Sequence, residues 1–256
     1  MIELSNVSFA WPDGLAVLDN VSLSVRAGER LVLLGANGCG KSSLLKLFNG
    51  LIFAQTGHYA YCGTTVTRLK TRERDWGNQF RREMVLLFQQ PEAMLFNPTV
   101  QDEIAYGPLQ LGWSDVTARV ARWAQLLGLS ALLDKAPFQL SGGQKQKVAL
   151  ASILVLEPEV LLLDEPTAHL DPASAGWLID YLISCNKTVI ISTHQLSMAA
   201  ELGDRCLVMG EGGQLLYDGA VQTALNDMSL LQKAGLMHRH YHTHKSIHDS
   251  HSHTHD

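Results

Sequence analysis

The chain is poor in the features that would put it outside a cell or across a bilayer. It has four cysteines in 256 residues, Cys39, Cys62, Cys185 and Cys206. None forms a C-x-x-C pair, which excludes a disulfide framework and predicts reduced thiols in a cytosol. No apolar run approaches the length needed to span a bilayer. The opening Met1-Ile2-Glu3-Leu4-Ser5 has no basic segment ahead of an apolar one, so no secretory signal is expected. Excess positive charge is missing as well. The net charge is −5 with histidines neutral, which argues against a general nucleic-acid surface. Internal repeats and heptad runs are absent. What remains is 46% hydrophobic and 18% charged, enough for one large α/β domain or two small ones.

The most informative stretch is Gly35-Ala36-Asn37-Gly38-Cys39-Gly40-Lys41-Ser42, which reads G-x-x-x-x-G-K-S. An apolar run, Leu31 to Leu34, precedes it. Ser43-Leu44-Leu45-Lys46-Leu47-Phe48 follows with apolar residues at helical spacing. The motif therefore sits between a buried strand and a helix, where a phosphate loop belongs. Glycines let successive N–H groups turn inward towards phosphate oxygens, and the helix adds its positive end. Lys41 brings a full charge to the β- and γ-phosphates, and the Ser42 hydroxyl suits Mg²⁺. The plainer alternative is a glycine-rich turn with a chance Lys-Ser, which the correct flanks disfavour.

Residues 2–10 and 17–25 alternate apolar and polar and predict half-buried antiparallel strands. Trp11-Pro12-Asp13-Gly14 between them predicts a turn with an exposed aromatic. Asn49-Gly50 predicts the end of the helix after the loop. Gly57 to Cys62 predicts another strand, and the charged stretch 64–83 a solvated connection. Met84 to Phe88 predicts a buried strand, and from about 91 to 155 the pattern turns helical. Asp115 to Gly128 is amphipathic there, and Ser141 stands as an N-cap. Val160 to Leu163 predicts a central parallel strand, closed by Asp164-Glu165-Pro166 at the end where open α/β sheets place ligands. A helix is expected from Pro172 to about Ser184, and a buried strand from Thr188 to Ser192. Residues 195–203 read as helix, and 205–210 and 214–218 as paired strands.

Two adjacent acids at a strand end repel each other unless a cation or proton lies near them. One can hold Mg²⁺ through water while the next polarises an attacking water as general base. With these residues in place, the chain resembles the ATP-binding subunit of an ABC transporter over roughly residues 1–225. The most specific mark is Leu140-Ser141-Gly142-Gly143-Gln144, the family's signature segment. Gln89 stands at the Q-loop, Ala168-His169-Leu170-Asp171 at the D-loop, His194 at the switch histidine and Trp11 at the aromatic of the A-loop.

The resemblance implies a fold and a set of roles. The fold is an α/β core with a mainly parallel sheet, an N-terminal antiparallel β part and an inserted helical subdomain. Trp11 would stack on adenine. Gly35, Ala36, Asn37, Gly38, Cys39, Gly40, Lys41, Ser42 and Ser43 would bind ATP. Ser42, Gln89 and Asp164 would hold Mg²⁺, the last through water. Glu165 would be the general base, and His194 would contact the γ-phosphate. Cys39 is unusual in such a loop and raises the expectation of thiol sensitivity. Ser141, Gly142, Gly143 and Gln144 would complete the ATP site of a second subunit, with Asp171 in the D-loop, so a homodimer is the simplest assembly. Phe88 to Pro108 is similar to the energy-coupling-factor importers, and especially to their cobalt and nickel ATPases. It implies a groove near Gln89 to Gly107 for integral membrane subunits, on the cytoplasmic face of the cell membrane. A vitamin importer of the same type, a soluble ABC ATPase and a metal-binding protein with a vestigial ATP site are the alternatives.

Eight of the eleven histidines fall after residue 237. They are His238, His240, His242, His244, His248, His251, His253 and His255. This stretch lacks the apolar content for a core and predicts a flexible tail over 237–256, beyond a domain of 1–236. Alternating histidines on a flexible chain suit a borderline metal such as Ni²⁺, Co²⁺ or Zn²⁺. A metal-collecting tail competes with incidental low complexity and with an engineered end.

Overall fold

The computed structural model describes residues 1–244 and 247–254, with side chains for 1–237. In chain order the elements are β1 (Ile2–Ala10), β2 (Ala16–Val25), β3 (Arg30–Leu34), α1 (Lys41–Phe48), β4 (Thr56–Tyr61) and β5 (Thr64–Thr65). Next come α2 (Arg74–Glu83), β6 (Met84–Leu87), α3 (Val100–Gln110), α4 (Val116–Leu126), α5 (Gly142–Leu154), β7 (Val160–Asp164) and α6 (Pro172–Ser184). The last are β8 (Thr188–Thr193), α7 (Leu196–Leu202), β9 (Arg205–Met209), β10 (Leu215–Ala220), α8 (Val221–Asn226), α9 (Met228–Lys233), β11 (Met237–His244) and β12 (Ile247–Thr254). The chain divides into two compact units, one of residues 1–67 with 190–256 and one of residues 68–189.

Besides the β11–β12 pair, the first unit holds strands of two sheets. An antiparallel one runs β2-β1-β4-β5, with Ile2 opposite Val25 and Tyr61. Its inward positions Ile2, Leu4, Val7, Val21, Leu23 and Val25 are buried, as the alternation requires. In the other, β9 lies parallel to β3 and antiparallel to β10. Leu31 to Leu34 are fully buried, the pattern of a strand covered on both faces. Arg205 ties this sheet together at its side: its guanidinium donates to both carboxylate oxygens of Asp218, at 2.6 and 2.7 Å, and to Glu29 at 2.8 Å.

The second unit pairs β6 parallel to β7, with Leu86 opposite Leu162. Helix α5 packs against β6, and α3 and α4 pack on α5; residues 91–155 all fall within this unit. Thr99 caps α3 through the Asp102 N–H, and Glu103 is buried and accepts from the Phe96 and Asn97 N–H groups.

Two local expectations change, and the end of the chain has regular backbone. The stretch 64–83 is not simply a solvated connection, because it contains α2. Trp76 stacks on Phe80 one turn later, at 4.8 Å between ring centroids, and Phe80 is buried. Trp11 is half-buried rather than exposed: it meets Phe9 edge-on at 5.1 Å, with the Lys46 ammonium 5.9 Å from its ring. The backbone of the predicted tail runs as two antiparallel strands, β11 and β12, consistent with the period-two alternation of its residues. His255 lies outside the described residues, and the other tail histidines enter as backbone alone.

Candidate nucleotide-binding site

The phosphate loop closes between β3 and α1 in the first unit. Gly38 and Gly40 have φ of 83° and 107°, in the left-handed region that favours glycine. At Gly40 space is limiting too, since a Cβ there would collide with the Val17 carbonyl oxygen. Lys41 is 6% exposed, and its ammonium donates to the carbonyls of Gly35 at 2.6 Å and Ala36 at 3.1 Å. It therefore lies along the loop it is expected to serve. Helix α1 has no side-chain cap and no acidic residue in its first turn, so nothing of its own competes for an anion at its positive end. Ser42 is half-buried in that turn and Ser43 is buried.

Such a loop fits the phosphates of a nucleoside triphosphate. The Ser42 hydroxyl at its end is a hard oxygen donor of the kind that suits Mg²⁺.

Cys39 is buried, and burial pushes its thiol pKa up despite the opposing pull of Lys41. This tempers the expectation of thiol sensitivity, because the thiolate is the reactive form. One loop contact was not visible in the sequence. The Ala36 N–H donates to the Ala234 carbonyl at 3.2 Å, and a Cβ on Gly235 would sit 3.1 Å from that of Ala36. The chain after α9 is thus fastened to the phosphate loop just before the histidines begin. The same unit carries Trp11 and the half-buried His194, which follows β8 directly.

The second unit carries the acids and the signature segment. Asp164 ends β7 and Glu165 follows it, with side chains buried to 5% and 6% exposure. Glu165 has φ of 47°, a costly conformation for a residue other than glycine. Gln89 is exposed just beyond β6. Ser141 caps α5 in a complete capping box: its hydroxyl accepts from the Gln144 N–H at 3.3 Å, and the Gln144 side chain accepts from the Ser141 N–H at 3.0 Å. Gly142 and Gly143 open the helix between them. Asp171 caps α6, accepting from the Ser174 N–H and hydroxyl, and these hydrogen bonds hold its carboxyl well below the usual range.

A strand-loop-helix phosphate cradle in an α/β fold defines a P-loop nucleotide-binding protein. The ABC transporter family profile matches residues 18–168. The nickel import ATP-binding protein NikO of Rhodobacter capsulatus is 42% identical over 92% of this chain and 95% of its own length. The energy-coupling factor transporter ATP-binding protein EcfA of Methanocaldococcus jannaschii is 37% identical over 92% of this chain and 85% of its own. Among solved structures, cbiO1 of Clostridium perfringens, part of the ABC transporter complex cbiONQ, superposes with a TM-score of 0.74 and 28% identity, covering 92% of this chain and 94% of that one. The dimeric cassette MJ0796, bound to ADP and Pi after hydrolysis, gives a TM-score of 0.76 and 25% identity, covering 86% and 99%. The chain belongs to the ABC transporter ATP-binding family and is an ATPase. It has the α/β ABC fold, with a sheet containing parallel strands and a separate antiparallel sheet.

Proposed function

We propose that the chain is the ATP-hydrolysing subunit of an importer for nickel or cobalt ions. The observation that carries the cargo is the similarity to a nickel import ATP-binding protein over 95% of that protein's length. The histidine-rich end supports it by composition, since imidazoles suit Ni²⁺, Co²⁺ and Zn²⁺. The energy-coupling-factor relative keeps a vitamin cargo as the second reading.

In this reading Trp11 stacks on adenine, residues 35–43 hold the phosphates, and Ser42, Gln89 and Asp164 hold Mg²⁺. The ion neutralises phosphate charge. Glu165 takes the proton of the attacking water, and His194 keeps water and γ-phosphate in register. Two copies assemble head to tail, so that Ser141 to Gln144 of each faces the ATP of the other. Residues 1–236 form the ATPase domain, with its helical insertion at about 91–155. The groove for integral membrane subunits lies near Gln89 to Gly107, where Phe96 and Tyr106 are exposed and pack edge-on at 5.0 Å. The protein sits on the cytoplasmic face of the membrane, and residues 237–256 collect metal.

Uptake of labelled nickel, cobalt and vitamins by cells lacking this chain tests the cargo. Loss of nickel or cobalt uptake, restored by the wild-type chain, is the expected result. Loss of vitamin uptake alone would replace the metal reading with the second one.

A further inference from the structure

We infer that Gln146 is a positioning residue for Glu165, and that it makes the signature helix and the general base of one subunit a single mechanical piece. The inference rests on the reading of Glu165 as the base. Three contacts carry it, all within residues 68–189. The first is a close backbone approach: a Cβ on Gly143 would stand 2.8 Å from the His169 carbonyl oxygen. In the second, the Gln146 side-chain N–H donates to the Pro166 carbonyl at 2.9 Å. The third is the Lys147 ammonium, 3.3 Å from the Asp171 carboxylate. Positions 143, 146 and 147 are spaced i, i+3, i+4, so one face of α5 meets the segment after Glu165 at Pro166, His169 and Asp171.

Gln146 is the unusual member. It is fully buried, and its Oε1 has no hydrogen-bond partner among the described residues. A buried amide with an unpaired acceptor is a cost to the fold, and a leucine of similar size would not incur it. What the amide does supply is a tether on Pro166, the residue after Glu165. Glu165 is also the residue whose backbone sits at φ of 47°. A left-handed backbone at a buried carboxylate persists only where its surroundings hold it, and the Gln146–Pro166 hydrogen bond is one such hold. Because Gln146 lies one turn beyond the signature glycines, any movement of that segment on the other subunit's ATP is passed to the base of its own.

Gln146→Leu tests this with the full-length protein. The tether is lost while the volume is kept, and the unpaired Gln146 acceptor is exchanged for an unpaired Pro166 carbonyl. We expect kcat for ATP to fall at least tenfold, with KM changed less than twofold and the fold retained, since misplacement of a reacting group costs up to about a hundredfold. Unchanged kcat in a folded variant would overturn the proposal, as would a rise in KM with kcat preserved. Glu165→Gln, measured in parallel, separates the two readings. If it keeps full turnover, the base assignment has failed. If it is inactive while Gln146→Leu is fully active, only the tether has failed. Should Gln146→Leu not fold, Lys147→Met removes the partly exposed ion pair to Asp171. A two- to threefold fall in kcat at constant KM then supports the linkage, and no change overturns it.

Discussion

Glu165, between a fully buried strand and Pro166, combines a buried carboxylate with a left-handed backbone. Strain of this kind costs about 1–3 kcal/mol and marks positions that surrounding structure holds for a purpose. Replacement by Gln keeps the shape and removes the proposed base. Steady-state hydrolysis by Glu165→Gln should therefore drop by about 10²–10⁴-fold, with ATP binding retained. Turnover within tenfold of wild type would remove Glu165 from the chemistry. Gly40 is constrained by space as well as by φ. Gly40→Ala should lose ATP binding and destabilise the fold by about 1–3 kcal/mol, and equilibrium denaturation with nucleotide titration would show both. Wild-type stability together with wild-type affinity would contradict the steric argument. Cys39 illustrates a limit of reading residues singly. Its position suggests a reactive thiol, whereas burial raises its pKa and leaves exposed Cys62 the better target. Mass spectrometry after iodoacetamide at neutral pH should find Cys62 modified first, and Cys39 only as the pH rises. Early modification of Cys39 would contradict the burial argument.

Elements with strong periodicity or clear end signals were legible in the sequence. The strand from Val160, the helix from Pro172 to Ser184 and the cap at Ser141 all stand where those signals put them. The capping box gives a direct test at this scale. Ser141→Ala should cost about 1 kcal/mol of stability and fray the first turn of α5, visible as faster amide exchange at Gly143 and Gln144. Unchanged exchange there would show that tertiary contacts alone hold the turn. Helix α2 was missed because seven of its ten residues carry charged or amide side chains. Its only apolar signal is the Trp76–Phe80 pair one turn apart, too sparse for a periodicity argument. Helices α8 and α9 are six residues each, too short to show a face. The fastening of Ala234 to the phosphate loop is a contact between distant backbone atoms, and no local pattern announces it.

At the scale of the whole molecule, the motif residues are distributed over both units. The loop, Trp11 and His194 belong to one, and Gln89, Asp164, Glu165 and the signature belong to the other. Their order along the chain was readable as a set of motifs. The tail adds a separate expectation. Deleting residues 238–256 should lower Ni²⁺ or Co²⁺ binding in calorimetry while ATP turnover changes less than twofold. Loss of turnover would show that the tail belongs to the ATPase fold. The central claim is that two copies bind ATP between them and that Glu165 resolves the complex by hydrolysis. Light scattering of Glu165→Gln in excess ATP and Mg²⁺ tests it most directly. The account predicts a particle of twice the 28.1 kDa chain mass, reverting to one chain when nucleotide is removed. A particle that stays at the single-chain mass in saturating ATP and Mg²⁺ would contradict it.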